Sequence, residues 1–263
     1  MTEGEPEKLR LGGMALRNGL LVHGPTHWAA AVRTRTGEIK VASGPKPRLR
    51  TVDGVPALRG LARLAEAFVV IPLVKRGLPE VRLPFQDPAT LGVAAGASLA
   101  GSLLRRRAGA AGEAAGAAVA LVPALYALRG GELAAYHGVE HKSIAAYEAG
   151  DLDAADAAKE HDRCGSHLVA PMLAANVAGT MILRKALERP SALAGSAVAL
   201  ASTAIAVEVF AWSERHDGTR LAHALRQPGH AIQRAIGTRE PTAVQLEVGE
   251  AALAEILRVE GGA

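Results

Sequence analysis

The chain has 263 residues, 49% of them hydrophobic, with a formal net charge of +4 and a pI near 9.5. A single cysteine excludes a disulfide framework within the chain, and the apolar fraction excludes general disorder. Aromatic residues at 3% leave almost no platform for stacking nucleobases, so the basic charge points to flanks beside a membrane and no nucleic-acid partner is expected.

In chain order, the first fifteen residues are polar and acidic, and no cleavable signal peptide is expected there. Residues 1–54 read as a β-rich segment. Gly12-Gly13 opens it. Trp28, Ala30 and Val32 alternate with small or polar residues, and Ile39 and Val41 resume after Thr36-Gly37, which predicts an antiparallel hairpin. Residues 55–88 read as an amphipathic helix and linker. Pro56 suits a first helical turn, and Leu58, Leu61, Leu64, Ala65 and Phe68 recur at helical spacing with Arg59, Arg63 and Glu66 opposite. This helix either lies on a membrane or packs on the β segment.

Residues 89–212 read as a membrane domain. Four charge-poor stretches fall at 89–104, 112–128, 168–183 and 191–212, and a span takes about 17–25 residues. Their small-residue content suits helices that approach closely in lipid. Arg105-Arg106-Arg107 and Arg184-Lys185 mark stretch ends, and Tyr126, Phe210 and Trp212 sit where interfacial aromatics gather. A soluble bundle of very apolar helices is the alternative. Residues 213–263 read as a soluble helical tail, in which Pro228-Gly229 breaks one helix and Thr242 with Gln245 starts the last through a capping box. Leu246, Leu253, Ile256 and Leu257 give that helix an apolar face. With four spans, the β segment, the 129–167 connection and the tail share one side. They carry most of the 30 Lys and Arg, which favours the cytoplasm.

The strongest chemical signal lies in the 129–167 connection. Leu133 to Ala149 is rich in helix formers, and Gly150 is placed to stop the helix. His137, Glu140 and His141 then fall within an arc of about 100°, and Glu148 shares their face. The order H-x-x-E-H is that of inverted zincins, in which the two imidazoles hold zinc and the carboxylate takes a proton from water. Glu140 acting as a ligand itself is the alternative, as is an ordinary solvated His–Glu face. His161 and Cys164, three apart, offer imidazole and thiol donors that suit zinc over magnesium or calcium. An inert buried thiol is the alternative for Cys164. Glu208, inside the fourth stretch, is costly in lipid and reads as a further ligand or a partner of Arg215 or Arg129. His23, His27, His216, His223 and His230 read as surface or packing residues.

Several pieces recur together: Gly12-Gly13 to Gly24-Pro25, Val55-Pro56-Ala57-Leu58-Arg59-Gly60, Tyr136-His137-Gly138-Val139-Glu140-His141-Lys142, Ala146-Tyr147-Glu148, Arg163-Cys164-Gly165-Ser166, Pro228-Gly229 and Thr238-Arg239-Glu240-Pro241. In this order, over about residues 11–259, the chain resembles the YqhQ-like bacterial membrane proteins. The resemblance implies a multipass membrane protein with a metal-type motif, in a family labelled a predicted metal-dependent enzyme. It implies no reaction. The family usually has an acidic residue where Asn18 stands and an Arg in place of His23.

The reading as a whole is a mainly α, multipass integral membrane protein of about four spans with a small N-terminal antiparallel β segment. It is expected in a bacterial cytoplasmic membrane with its termini in the cytoplasm. The expected function is a metal-dependent hydrolase, a peptidase among the options. Glu140 is the general base, a divalent metal (zinc first) is the cofactor, and the ligands come from His137, His141, Cys164, His161, Glu148 and Glu208. The partners expected are the lipid bilayer, an unidentified substrate, and a protein partner or second copy of the chain. The rival is a non-catalytic assembly or accessory factor using the same residues as a structural metal site or hydrogen-bonded latch.

Overall fold

The computed structural model describes residues 8–48, 58–106, 109–129, 131–151, 153–187 and 190–261. Pro56 lies outside them. Four strands, β1 (Gly12–Leu16), β2 (Gly19–His23), β3 (His27–Arg33) and β4 (Ile39–Pro45), form one antiparallel sheet in sequence order. The expected hairpin is β3–β4, with Arg33 opposite Ile39 and His27 opposite Pro45.

Helices cover both sheet faces, so successive residues on β2 and β3 are buried in opposite directions. On one face, Leu20, Val22, Ala29 and Ala31 pack against Tyr136 and Val139 of α5 (Glu132–Ala149) and Val248, Ala252 and Ile256 of α9 (Ala243–Gly261). On the other face, Leu21, Trp28, Ala30 and Val32 pack against Val70 and Val74 of α1 (Leu58–Gly77) and Leu78 and Val81 of the linker that follows. Two-sided burial is why this sheet lacks the clean apolar–polar alternation of a half-solvated one.

Helix α1 thus packs on the β segment, but on a face other than the expected one. Its buried positions include Gly60, Ala62, Glu66, Val70 and Val74, spaced by two and then four, while Phe68 is 65% exposed and Glu66 pairs with Arg63 at 2.7 Å. Small and β-branched side chains sit closer to a sheet than Phe does, so close packing overrode bulk hydrophobicity. Gly60 also lies against Val207 of α7 (Ala192–Arg215).

Asn18 does structural work. Its Nδ2 donates to the carbonyls of Arg33 and Glu80, and its Oδ1 accepts from Arg82 N. It ties the β1–β2 turn to the α1–α2 linker through backbone atoms alone.

Among the described residues, three helical segments are long and apolar enough to cross a membrane: Ala110–Leu128, Gly165–Ala186 and Ala192–Arg215. By length and composition they suit a membrane protein. The expected count of four is corrected to three. Helix α2 (Pro88–Arg105) reaches only about 27 Å at 1.5 Å per residue, and Pro88 and Arg105 occupy its ends, so its apolar part falls short. The first candidate is itself two helices, α3 (Ala110–Val119) and α4 (Val122–Leu128); the second is a 3-10 turn at Gly165–Leu168 followed by α6 (Val169–Ala186). Only 6% of the second is buried against protein, and Leu91, Leu99, Ile182, Leu193 and Leu200 are exposed. Such faces suit lipid. Buried Glu113 of α3 pairs with Arg184 of α6 at 2.6 Å and with Arg105 of α2 at 3.7 Å, neutralising a carboxylate that lipid would penalise.

The sheet, α5 and α9 pack into one body and therefore lie on one side of any membrane. Crossings between β4 and α5, and between α5 and α9, must then be even in number. The paired α6 and α7 satisfy the second condition. Between β4 and α5 there is one candidate among the described residues, Ala110–Leu128.

The tail departs from expectation at one point. Helix α8 (Arg220–Ile232) runs through Pro228-Gly229 and passes into a π turn at Gln233–Gly237. Gly229 is buried against the His167 ring, with no room for a Cβ, so close packing with His167 holds this segment helical. The capping box is formed, with Thr242 N donating to Gln245 Oε1 at 3.0 Å and Gln245 N to Thr242 Oγ1 at 3.3 Å.

Candidate metal centre

Helix α5 carries the H-x-x-E-H order and ends where expected, with Gly150 at φ +83 as its left-handed cap. It is buried on nearly all sides between the sheet, α9 and the chain at 237–241. That last segment crosses α5 at Gly138, where an added Cβ would fall 2.3 Å from Arg239 O. Arg239 N donates to Ala134 O at 2.9 Å, completing the crossing. The crossing brings the Gly237 carbonyl to His137.

His137 Nδ1 lies 2.8 Å from Gly237 O, and His141 Nδ1 lies 2.6 Å from Lys159 O. A carbonyl accepts only, so each Nδ1 carries the proton and each Nε2 presents a lone pair. Backbone carbonyls behind ligating imidazoles set tautomer and ring orientation in this way. His137 Nε2 sits 3.4 Å from Cys164 Sγ. His141 Nε2 is buried with no hydrogen-bond partner among the described residues. The two rings lie edge to face with centroids 4.3 Å apart. One ligand atom from each of His137, His141 and Cys164 lies within 4.8 Å of the others. In a tetrahedral zinc site, bonds of about 2.0 Å to nitrogen and about 2.3 Å to sulfur put N and S about 3.6 Å apart, close to the 3.4 Å seen. The buried orphan nitrogen and the N,N,S donor set both fit a divalent ion, which this group could hold.

Cys164 reaches the centre by capping the 3-10 turn, its Sγ accepting from Ser166 N at 3.5 Å. Burial pushes its thiol up to about 11, and the nearby Glu140 carboxylate adds to the rise. Burial holds His141 down to about 3, with His137 reinforcing the effect. Glu140 is 8% exposed. Burial raises its carboxyl above the ordinary range, and His137 opposes the rise.

The other expected ligands stand outside this group. His161 Nδ1 accepts from Arg163 N, and its Nε2 faces Glu148 Oε2 at 3.2 Å, so both nitrogens are engaged. Glu148 also pairs with the Arg163 guanidinium. Glu208 lies on α7 beside Trp212, Leu221 and Leu225. The group formed by His137, His141 and Cys164 does not include these three, and His161 and Glu148 contact each other instead. His230, read as a surface or packing residue, contacts Asp162 Oδ1 at 2.9 Å and packs its ring 4.7 Å from that of His167.

Sequence reasoning missed the residues that build the centre from outside. Fully buried Gln233 holds the loop that carries Cys164, accepting from His161 N at 2.8 Å and donating to Ser166 Oγ at 2.9 Å. Lys142, next to His141, donates to the carbonyls of Ala155 and Ala157 and pairs with Glu240 at 2.8 Å. Gly13 of β1 closes over Glu140. The only signals for these were a buried-compatible Gln in an amphipathic helix, a Lys inside an apolar stretch and a Gly pair opening a strand.

Residues 132–259 match the model of the family described as Protein of unknown function (DUF1385). The match opens on the first residue of α5 and ends within α9. It contains His137, Glu140, His141 and Cys164 and leaves out the sheet that covers them. No curated protein and no solved structure matches the chain.

Proposed function

We propose that the chain is a metal-dependent hydrolase acting at a membrane surface, with His137, His141 and Cys164 as metal ligands and Glu140 as general base. The observation that carries this is the buried, unpartnered Nε2 of His141 converging with His137 Nε2 and Cys164 Sγ. Three protein donors leave a tetrahedral ion one further position, the pattern of catalytic zinc sites, whereas structural sites take four. An ion bound there supplies Lewis acidity toward a water and a carbonyl. Glu140, one turn from His137 on α5, is the residue placed to accept and return a proton. Its raised pKa brings a carboxyl nearer to neutral pH, where proton transfer in both directions is efficient. Zinc is favoured by the thiol among the donors.

The resemblance to the YqhQ-like family, with its metal-dependent label, supports the same reading. The family match covers the residues that form the centre and carries no activity of its own. The chain would sit in a bacterial cytoplasmic membrane with the sheet, α5 and α9 in the cytoplasm, in keeping with the basic flanks. Its substrate class is open, with peptides among the candidates.

A second reading draws on enclosure. His141 and Cys164 are 2% and 7% exposed, which also suits a structural metal or hydrogen-bonded latch in an assembly or accessory factor. Metal analysis separates the readings. Purified full chain should hold about one zinc, and Glu140→Gln should keep it while abolishing hydrolysis in a peptidase and esterase screen. Loss of metal from Glu140→Gln would make Glu140 the fourth ligand and the site a closed structural one.

A further inference from the structure

A cavity lined mainly by charged and polar side chains lies away from the metal centre. It encloses about 710 Å³. Its walls are the β1–β2 and β3–β4 turns, the end of α1, the linker before α2 and the first turns of α5. Six basic side chains line it, Arg17, Arg33, Arg35, Lys40, Lys75 and Arg82, against three acidic ones, Glu38, Glu80 and Glu132.

Part of this charge holds the walls together. Lys40 pairs with Glu80 at 2.6 Å, Arg17 with Asp87 at 2.9 Å and Arg33 with Glu247 at 2.7 Å, and Lys75 Nζ donates to the carbonyls of Pro79 and Val81. The remainder is uncommitted. Neither Arg35 nor Arg82 has a side-chain partner among the described residues. Arg33 Nε is buried with no acceptor among the described residues, while its other guanidinium nitrogens donate to Gly37 O, Val244 O and Glu247 Oε2. An orphaned guanidinium N–H inside a basic cavity is satisfied by an anion with several acceptor oxygens, the geometry for which Arg is suited.

The position of the cavity narrows the ligand. Gln86 on its wall immediately precedes Asp87, the cap of α2, and Glu132 on its wall is the first residue of α5 after α4. The chain therefore enters and leaves the α2–α4 helices at the rim of this cavity. At that level a membrane presents its headgroups, and basic pockets there recognise phosphorylated lipid heads.

We propose that this cavity binds a phosphate-bearing anion, with Arg35 and Arg82 as the principal contacts. The chemistry is shared by an anionic lipid headgroup and a soluble phosphate ester, and the test separates them. It stands independently of the metal centre.

The full chain, purified in neutral detergent, is titrated with dihexanoylphosphatidylglycerol, with inorganic phosphate and with dihexanoylphosphatidylcholine, and thermal unfolding is followed. A ligand that binds only the folded state raises the unfolding temperature with the logarithm of its concentration above Kd. Phosphatidylglycerol should raise it, and Arg35→Gln/Arg82→Gln should need about tenfold more ligand or worse for the same rise. The unliganded variant should unfold where the original does, because both side chains are exposed and unpaired. Arg35→Lys/Arg82→Lys should restore part of the response. A rise with phosphatidylglycerol alone assigns a lipid headgroup, and an equal or larger rise with inorganic phosphate assigns a soluble ester. No rise with either, an equal rise with phosphatidylcholine, or an undiminished rise in the Gln variant overturns the proposal.

Discussion

Gly13 of β1 lies directly over the Glu140 carboxylate of α5: a methyl group at Gly13 would fall 2.7 Å from Glu140 Oε1. The strand and the helix thus meet at the residue proposed to move the proton, although the strand lies outside the matched family segment.

Gly13→Ala should therefore displace Glu140 without touching the three donors. The expected result is a folded protein destabilised by about 1–3 kcal/mol through overpacking, with metal retained and turnover reduced. Metal content beside thermal unfolding checks this. Loss of metal from Gly13→Ala would show that β1 supports the ligands themselves.

Metal loading should release about one proton near pH 7. His141, held to about 3, is already neutral there, and Cys164, pushed to about 11, still carries its proton. Only the thiol has to ionise, so affinity should rise about tenfold per pH unit from mildly acid pH toward that value. Calorimetry in buffers of different ionisation enthalpy counts the proton. Cys164→Ser should lose most of the metal.

His161→Ala should keep the metal. Its two nitrogens are engaged with Arg163 N and Glu148, not with the centre. Loss of these contacts should cost about 1 kcal/mol and leave zinc stoichiometry unchanged. A fall in stoichiometry to that of His141→Ala would restore His161 to the ligand set.

The packed sheet, α5 and α9 fix relative sidedness. Cysteines introduced at Thr36, Asp156 and Glu250, all exposed, should react with a membrane-impermeant reagent from the same side. A cysteine at Ser191, in the α6–α7 turn, should react from the other. Reaction of Thr36 and Glu250 positions from opposite sides would be incompatible with the packing of α9 on β3.

Acid should weaken the fold partly through His23. Burial first, then Lys46, lower it to about 4 from 6.5, against the pull of Glu66. Between those values the unfolded chain binds a proton that the folded chain refuses, so stability is complete above about pH 6.5 and declines toward pH 4. His23→Gln should flatten part of that decline in unfolding curves at pH 4.5, 5.5 and 7.

Local pattern carried some of this molecule reliably. The β3–β4 hairpin, the α5 helix with its Gly150 stop and the Thr242–Gln245 capping box each depend on residues within a few positions of one another. They formed as the spacing predicts. Helix α1 shows where such reasoning ends: its buried face was chosen by Gly60, Ala62, Val70 and Val74 against distant partners, leaving Phe68 outside. At the centre, His137 and His141 were legible because one helix places them a turn apart. Cys164 was legible only as a donor of the right kind.

By itself the sequence determined the membrane-compatible helices, the N-terminal sheet and the two-imidazole face, since apolar length, strand pattern and helical period are local quantities. The tertiary structure decided which donors meet. It brought Cys164 to His137 across 27 residues and turned His161 and Glu148 toward each other. It also set the Gly237 carbonyl behind an imidazole 100 residues earlier. Those choices depend on which buried polar group finds a partner in space, and a lone pair left without one, as at His141 Nε2, exists only once the chain has closed around it.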